Sequence, residues 1–259
     1  MAETPTLRFP GKVVVVTGSS GGIGLEVARH FAREGARVVT NGRSAARAAA
    51  AAEEIRAAGG EATPVGADVS TWEGAQKLAA GAIGAYDGID ILINNAGISM
   101  IARADDLEPS EWERAIATNL SGPFFCARAA YPSMKGRGGG VIVNIGSVAG
   151  HVGFPLRAAY CAAKHGLMGL TKTLALDWVD AGIRVVQVDP AFIKTPLDVG
   201  DQATAGYDDA AIERRTPMGR FGTVSEVAAA VLLAASPDAS YLTGSCLAVD
   251  GGWLAYGYL

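Results

Sequence analysis

A chain of 259 residues, 49% of them hydrophobic, can bury a large core, and one α/β domain over residues 1–259 is the ordinary outcome for that length. Its net charge of −4 comes with Lys and Arg placed singly, which builds no basic stripe and argues against nucleic acid as a partner. No apolar run reaches ~18 residues, and Met1 to Pro10 carries acid and proline rather than a charged start and apolar core, so a soluble, cytoplasmic protein that avoids membranes is expected.

Cys126, Cys161 and Cys246 form no Cys-x-x-Cys, which predicts free thiols, and the isolated His30, His151 and His165 give no metal-ligand spacing. No metal site is expected. Lys12 to Thr17 contains four consecutive valines, too short for a helix and too apolar for an exposed strand, so a central parallel strand is predicted. It feeds into Thr17-Gly18-Ser19-Ser20-Gly21-Gly22-Ile23-Gly24, and Leu25 to Glu34 then reads as a helix. Glycines at this junction let a pyrophosphate approach the backbone and the free N–H groups of a helix start.

Arg37 to Thr40 is the second strand, Asn41 to Ser44 a loop, and the Ala-rich run Ala45 to Ala58 a solvated surface helix. Glu61 to Ala67 is a third strand ending at Asp68-Val69, with Ser70 or Thr71 as the cap of a following helix. Ile89 to Ile93 is a fourth, closed by Asn94-Asn95-Ala96-Gly97. Glu111 to Arg128 has helical character, but Asn119-Leu120-Ser121-Gly122-Pro123 interrupts it and predicts a kink that frees backbone groups for water.

Val141 to Ile145 is an apolar strand leading to Ser147, and Tyr160-Cys161-Ala162-Ala163-Lys164 opens a helix running to about Ala181. Residues four apart share a helix face, so Tyr160 and Lys164 project together. A phenol with an ordinary pKa near ~10 is a poor acid or base at neutral pH. A fixed ammonium ~4 Å away at an effective dielectric of ~20 is worth up to ~4 kcal/mol, enough to lower that pKa by as much as ~3. Ser147, at the carboxyl end of its strand, could hold a carbonyl or alcohol oxygen for Tyr160. Ile183 to Val188, Val224 to Ala235 and Cys246 to Val249 complete a series of βα units, which implies a doubly wound parallel sheet of Rossmann type with helices on both faces. The polar, proline-bounded stretch 196–222 is expected to be a substrate lid.

Taken together, Thr-Gly-x-x-x-Gly-x-Gly at Thr17 to Gly24, Asn94-Asn95-Ala96-Gly97, Ser147, and Tyr160-x-x-x-Lys164 resemble the short-chain dehydrogenase/reductase family in its short single-domain form, over nearly the whole chain. The resemblance implies an NAD(P)(H)-dependent oxidoreductase with Asn119, Ser147, Tyr160 and Lys164 as the catalytic group. In that reading Ser147 holds the substrate oxygen, Tyr160 moves its proton, Lys164 lowers the phenol pKa and binds the nicotinamide ribose, and Asn119 links Lys164 to water. Cofactor binding is carried onto Gly18, Ser20, Gly22, Ile23, Gly24, Arg43, Asp68, Val69, Asn95, Ala96, Gly97, Tyr160, Lys164, Pro190, Ile193 and Thr195. Asp68 falls on the adenine-binding Asp, and Thr195 on the Thr that engages the carboxamide. Ala191 replaces a usual Gly.

The family's acidic position at the end of the second strand falls on Gly42, followed by Arg43, so NADP(H) is preferred and NAD(H) remains possible. The basic residue many NADP-preferring relatives carry in the Gly-rich loop is absent, since Gly21 stands there. The expected substrate is a small carbonyl or alcohol: a 3-oxoacyl thioester, a cyclic ketone, or a sugar or polyol, lined by Ile98, Ser99, Met100, His151, Phe154 and Phe192. The alternatives are a catalytically silent NAD(P)-binding sensor and an epimerase or dehydratase. Family members are commonly tetramers, which implies a homotetramer here, with the aromatic tail Trp253 to Leu259 packed either at a subunit contact or on its own chain.

Overall fold

The computed structural model describes residues 7–195, 201, 204 and 207–257. Seven parallel strands form one sheet in the order β3-β2-β1-β4-β5-β6-β7: β1 Val13–Val16, β2 Arg37–Gly42, β3 Glu61–Gly66, β4 Ile91–Asn94, β5 Gly140–Ile145, β6 Ile183–Pro190 and β7 Cys246–Val249. The order reverses direction between β1 and β4. In open sheets that is where ligands enter, outside the carboxyl ends of the strands.

The continuous apolar runs follow from burial on both faces. Val14 and Val16 of β1, Ile91 and Ile93 of β4, and Val186 and Val188 of β6 join one core layer, which α1 (Gly22–Arg33) and the helix Val224–Ala235 cover. Their neighbours Val15, Leu92 and Val185 join the opposite layer, beneath α3 (Trp72–Tyr86), α5 (Gly122–Gly136) and α6 (Ala158–Asp177). Each fully buried valine or isoleucine contributes roughly 1.5–3 kcal/mol from transfer alone, so β1 is fixed at the centre by its own composition.

Several boundaries differ from expectation for local reasons. β2 continues through Asn41 and Gly42, because Asn41 and Gly42 keep parallel register with Val65 and Gly66. Ser44 caps α2 (Ala45–Ala57), and Thr71 caps α3 by accepting from Gly74 N–H. The expected kink is a π-helical turn over Ala117–Ser121, between α4 (Pro109–Ile116) and α5, whose start takes Pro123 where a missing N–H does no harm. α6 stops at Asp177, short of Ala181, and a separate 3₁₀ turn covers Val179–Ala181. The Val224–Ala235 helix has a full capping box of Thr223 and Glu226.

Candidate active site

The glycine loop and the loop after β4 are built into one another. Thr17 Oγ accepts from the backbone N–H of both Asn95 and Ala96 at 2.9 Å, and Asn95 Nδ2 donates to the carbonyls of Thr17 (2.9 Å) and Gly18 (3.2 Å). Gly18 has a left-handed φ of 63°, and a Cβ there would stand 2.8 Å from the Ala96 Cα. A Cβ on Gly24 would collide with Asn95 Nδ2. These positions therefore demand glycine for two separate reasons, backbone conformation and close approach.

Asn41 holds the loop from the other side. Its buried side chain donates to Val65 and Ala67 carbonyls at 3.0 and 3.2 Å and accepts from Gly18 N–H, while Ser19 Oγ accepts from Asn41 N–H at 2.8 Å. Opening from this loop, α1 has no acidic residue in its first turn to compete with an anion at its free N–H groups. Gly42 closes β2 beside Ser20, whose Oγ lies 3.2 Å from where a Gly42 side chain would begin. Arg43 follows and is exposed. The α2 helix, expected to be surface scaffold, brings Arg47 beside the loop, with one guanidinium nitrogen 3.8 Å from the Cβ position of Gly21.

Of the other expected cofactor residues, Ile23 lines the same helix start and Thr195 faces it, its methyl 4.0 Å from the Cβ position of Gly22. Pro190 ends β6, and Ile193 is bridged to Gly222. Val69 is buried; Asp68 is exposed, its carboxylate accepting from Ser70 N–H at 3.1 Å and Ser70 Oγ at 2.7 Å. Gly97 packs against Asn119, whose carboxamide accepts from Ile98 N–H (2.9 Å) and donates to the Ile98 carbonyl (3.0 Å). The π-turn thus locks the loop after β4 rather than merely bending a helix.

Ser147, Tyr160 and Lys164 come together at the carboxyl end of β5. The Ser147 side chain is close enough to the Tyr160 phenol to favour its ionised form, and Ser147 Oγ accepts from the Ala149 backbone N–H at 3.1 Å. Lys164 is buried, donates to the Ile145 carbonyl at 2.7 Å and lies 5.6 Å from the Tyr160 ring centroid. The expected lowering of the phenol pKa is corrected by this arrangement. Burial dominates and pushes Tyr160 above its ordinary value, against the opposing influence of the Ser147 side chain and the charge of Arg157. Burial also pulls Lys164 down to about 8, with the negative charge of Asp189 opposing the fall.

Two walls border this group. Val148, next to Ser147, packs into a cluster with Phe221 and Trp253, joined by Phe154 and Phe192, and the Phe192 and Trp253 rings are 4.9 Å apart. The tail from Trp253 to Tyr256 packs on its own chain: the Arg215 guanidinium covers both rings and donates to both of their carbonyls. Tyr258 and Leu259 lie outside the described residues. The other wall is polar. Arg157 donates to Ser99 Oγ and Asp201, each at 2.8 Å. Much of the expected lid, at 196–200, 202, 203, 205 and 206, also lies outside the described residues; among the described ones, Asp209–Arg215 forms a helix within its bounds.

Thr17 entered the sequence reading only as the start of the glycine motif, and Asn41, Arg47, Arg157 and Asp189 were given no role in the site. Their roles depend on contacts across loops far apart in the chain, and only the polar character of Thr17 and Asn41 at strand ends offered a signal.

Comparison with known proteins agrees with this geometry. A family model described as short chain dehydrogenase matches residues 12–205. The chain is 44% identical over 250 residues to 3beta-hydroxysteroid dehydrogenase 1 of Eggerthella lenta, covering 95% of each, and 38% identical over 261 residues to D-beta-hydroxybutyrate dehydrogenase of Rhizobium meliloti, covering 94% of this chain and 99% of that one. The crystal structure of a gluconate 5-dehydrogenase from Burkholderia cenocepacia, in complex with NADP and tartrate, superposes with a TM-score of 0.91 at 34% identity, over 97% of this chain and 98% of that one. With a reversed-order parallel sheet, a glycine loop at its switch point and a matching family model, the chain belongs to the short-chain dehydrogenases, which are NAD(P)-dependent oxidoreductases.

Proposed function

We propose that the protein interconverts a secondary alcohol and its ketone, with NADP(H) preferred over NAD(H) and an apolar, ring-containing substrate. The observation that carries this reading is the meeting of Ser147, Tyr160 and Lys164 beside the aromatic wall of Phe154, Phe192 and Trp253.

The residues present fit a dinucleotide. Gly18 and Gly24 leave room where any side chain would collide with the neighbouring loop, and the α1 start offers unpaired N–H groups to a pyrophosphate. Ser20, Gly22, Ile23, Asn95, Ala96 and Gly97 form that cradle, Asp68 and Val69 border the adenine end, and Pro190, Ile193 and Thr195 border the nicotinamide end. Gly42 presents no carboxylate to repel a 2′-phosphate, while Arg43 and Arg47 supply guanidinium groups at the same edge. When bound, the nicotinamide gives or takes the hydride.

Ser147 orients the carbonyl oxygen, and Tyr160 donates its proton in reduction and removes it in oxidation. A phenol held above its ordinary pKa by burial stays protonated, which suits the donor role. The Lys164 ammonium stabilises negative charge as it develops on the oxygen and on the phenolate. Asn119 acts through the backbone by fixing the π-turn and the loop before Met100. The family's usual homotetramer is retained as part of this reading, as is a lid over residues 196–222.

The Arg157–Ser99 wall favours one second reading, a polyol or hydroxy acid, in line with the hydroxybutyrate and gluconate enzymes among the relatives. A panel of cyclohexanone, a 3-oxosteroid, a ketohexose and acetoacetate, each with NADPH and NADH, separates the two. The highest kcat/KM is expected for a cyclic ketone with NADPH. A higher value for acetoacetate or the sugar would transfer recognition to Arg157.

A further inference from the structure

Directly beneath Ser147 lies a carboxylate with no access to solvent. Asp189, at the end of β6, is 0% exposed. Its Oδ1 accepts from the Ser147 backbone N–H at 3.1 Å and from Gln187 Nε2 at 2.7 Å, and its Oδ2 meets His151 Nε2 at 2.7 Å. A carboxylate buried this deeply persists only when it is multiply hydrogen-bonded and its charge is opposed.

The surrounding sequence is committed to it. A Cβ on Gly146 would collide with Asp189 Oδ1 and stand 2.5 Å from Gln187 Nε2. Gln187 in turn accepts from Thr171 Oγ at 3.1 Å, Thr171 accepts from Asn144 Nδ2 at 2.8 Å, and Asn144 Oδ1 accepts from Asn94 Nδ2 at 2.9 Å. A continuous polar line therefore runs across β4, β5 and β6 and surfaces at His151, which is the partly exposed end of the pair. The charged or titratable groups facing Asp189 are His151 from the turn after β5, Lys164 from α6 and Cys246 from β7. Tyr160, which shares the site, faces Arg157, Cys161 and Asp201.

We propose that Asp189, clamped by His151, is a positioning residue: it fixes the main chain at Ser147 and supplies the buried negative charge against which the Lys164 ammonium is held. Asp189 touches no reacting atom, so it acts through Ser147 and Lys164. The proposal rests on the reading of Ser147, Tyr160 and Lys164 given above, but its test does not need turnover. Burial alone would empty the Lys164 site of its proton as pH rises, and Asp189 opposes this. Removing the carboxylate and removing its clamp therefore have opposite effects on Lys164. Neutralising Asp189 lets Lys164 lose its proton at lower pH, whereas removing His151 leaves the Asp189 charge facing Lys164 less shared and holds the proton to equal or higher pH.

The experiment is a titration of the Lys164 Nζ by NMR in protein labelled with ¹⁵N-lysine, for wild type, Asp189→Asn, His151→Ala and His151→Gln. Lys164→Met assigns the resonance. The wild-type midpoint is expected at about 8, that of Asp189→Asn below it, and that of His151→Ala at or above it. An unmoved or raised midpoint in Asp189→Asn overturns the proposal, as does a lowered one in His151→Ala. Should Asp189→Asn not fold, the two His151 variants decide through kinetics. Loss of one charge-assisted hydrogen bond should lower kcat roughly tenfold in His151→Ala, with cofactor KM unchanged and most of the rate restored by the donor in His151→Gln. A His151→Ala enzyme with wild-type kcat, or a Gln variant as slow as Ala, overturns it equally. A wild type that reduces none of the carbonyls tried would instead defeat the reading of the reaction and leave the lysine titration to judge Asp189.

Discussion

The two halves of the cleft are made of different materials. On the β1–β4 side the surface is backbone: glycines at positions no side chain could occupy, with Thr17, Asn41 and Asn95 spending their hydrogen bonds on carbonyls and N–H groups of the same loops. On the β5–β7 side it is side chain: a phenol, a buried ammonium and carboxylate, and a wall of aromatic rings. A backbone surface suits a ligand whose pyrophosphate needs N–H donors and close approach. A side-chain surface can be varied without disturbing the fold, and it is where chemistry and substrate choice are set.

That division can be broken on the chemical side without touching the other. Tyr160→Phe removes the hydroxyl beside Ser147 and nothing from the glycine half. The kcat for carbonyl reduction is expected to fall ~10²- to 10⁴-fold while the Kd for NADPH, followed by its fluorescence, stays within a factor of a few. A variant that keeps a tenth of the rate would remove Tyr160 from the role of acid.

The chemical half should also be the one that is built against stability. Lys164 falls from 10.5 when unfolded to about 8 when folded, which opposes folding by roughly 3 kcal/mol wherever both states are protonated, that is below pH 8. Between about 8 and 10.5 the folded protein sheds the proton that the unfolded chain retains. Stability therefore rises with pH across that window, and the opposition is gone above it. Urea unfolding at stepped pH should show this rise in the wild type, relative to Lys164→Met, which carries no titrating amine. Parallel curves for the two proteins would contradict the burial of a charged lysine as a cost.

On the cofactor side, the effect expected is one of preference. Gly42→Asp places a carboxylate beside Ser20, whose side chain must give by a few tenths of an ångström, and should turn the NADPH preference into one for NADH by roughly tenfold to a hundredfold in kcat/KM. Arg43→Ala should erode the preference less, because Arg47 remains at the same edge. Equal use of both cofactors by the wild type would remove the basis of that assignment.

The same division explains what could be read from sequence. The four valines of β1 and the apolar run of β4 report local physics, so the sheet, its helices and the glycine loop were legible, and so was the face shared by Tyr160 and Lys164. The kink at Asn119 was legible as an interruption but not as a π-turn, since its outcome depends on how the Asn119 carboxamide meets Ile98, 21 positions away. Asp189 was hidden because its partners Ser147 and His151 lie 42 and 38 positions away, and an Asp before Pro reads locally as a turn. The pKa of Tyr160 was misjudged because spacing shows the neighbouring ammonium but not the burial that dominates the shift.

The central claim is that this cleft delivers hydride to a carbonyl carbon while Tyr160 supplies the proton. The direct measurement is reduction of cyclohexanone with NADPH carrying deuterium at the transferred position of C4, with the product analysed by mass and NMR. Wild type should place one deuterium on the carbinol carbon, and Tyr160→Phe should bind the cofactor yet form almost none of that product. NADPH left unconsumed across the whole carbonyl panel, or a reduced product without deuterium at that carbon, would contradict the account.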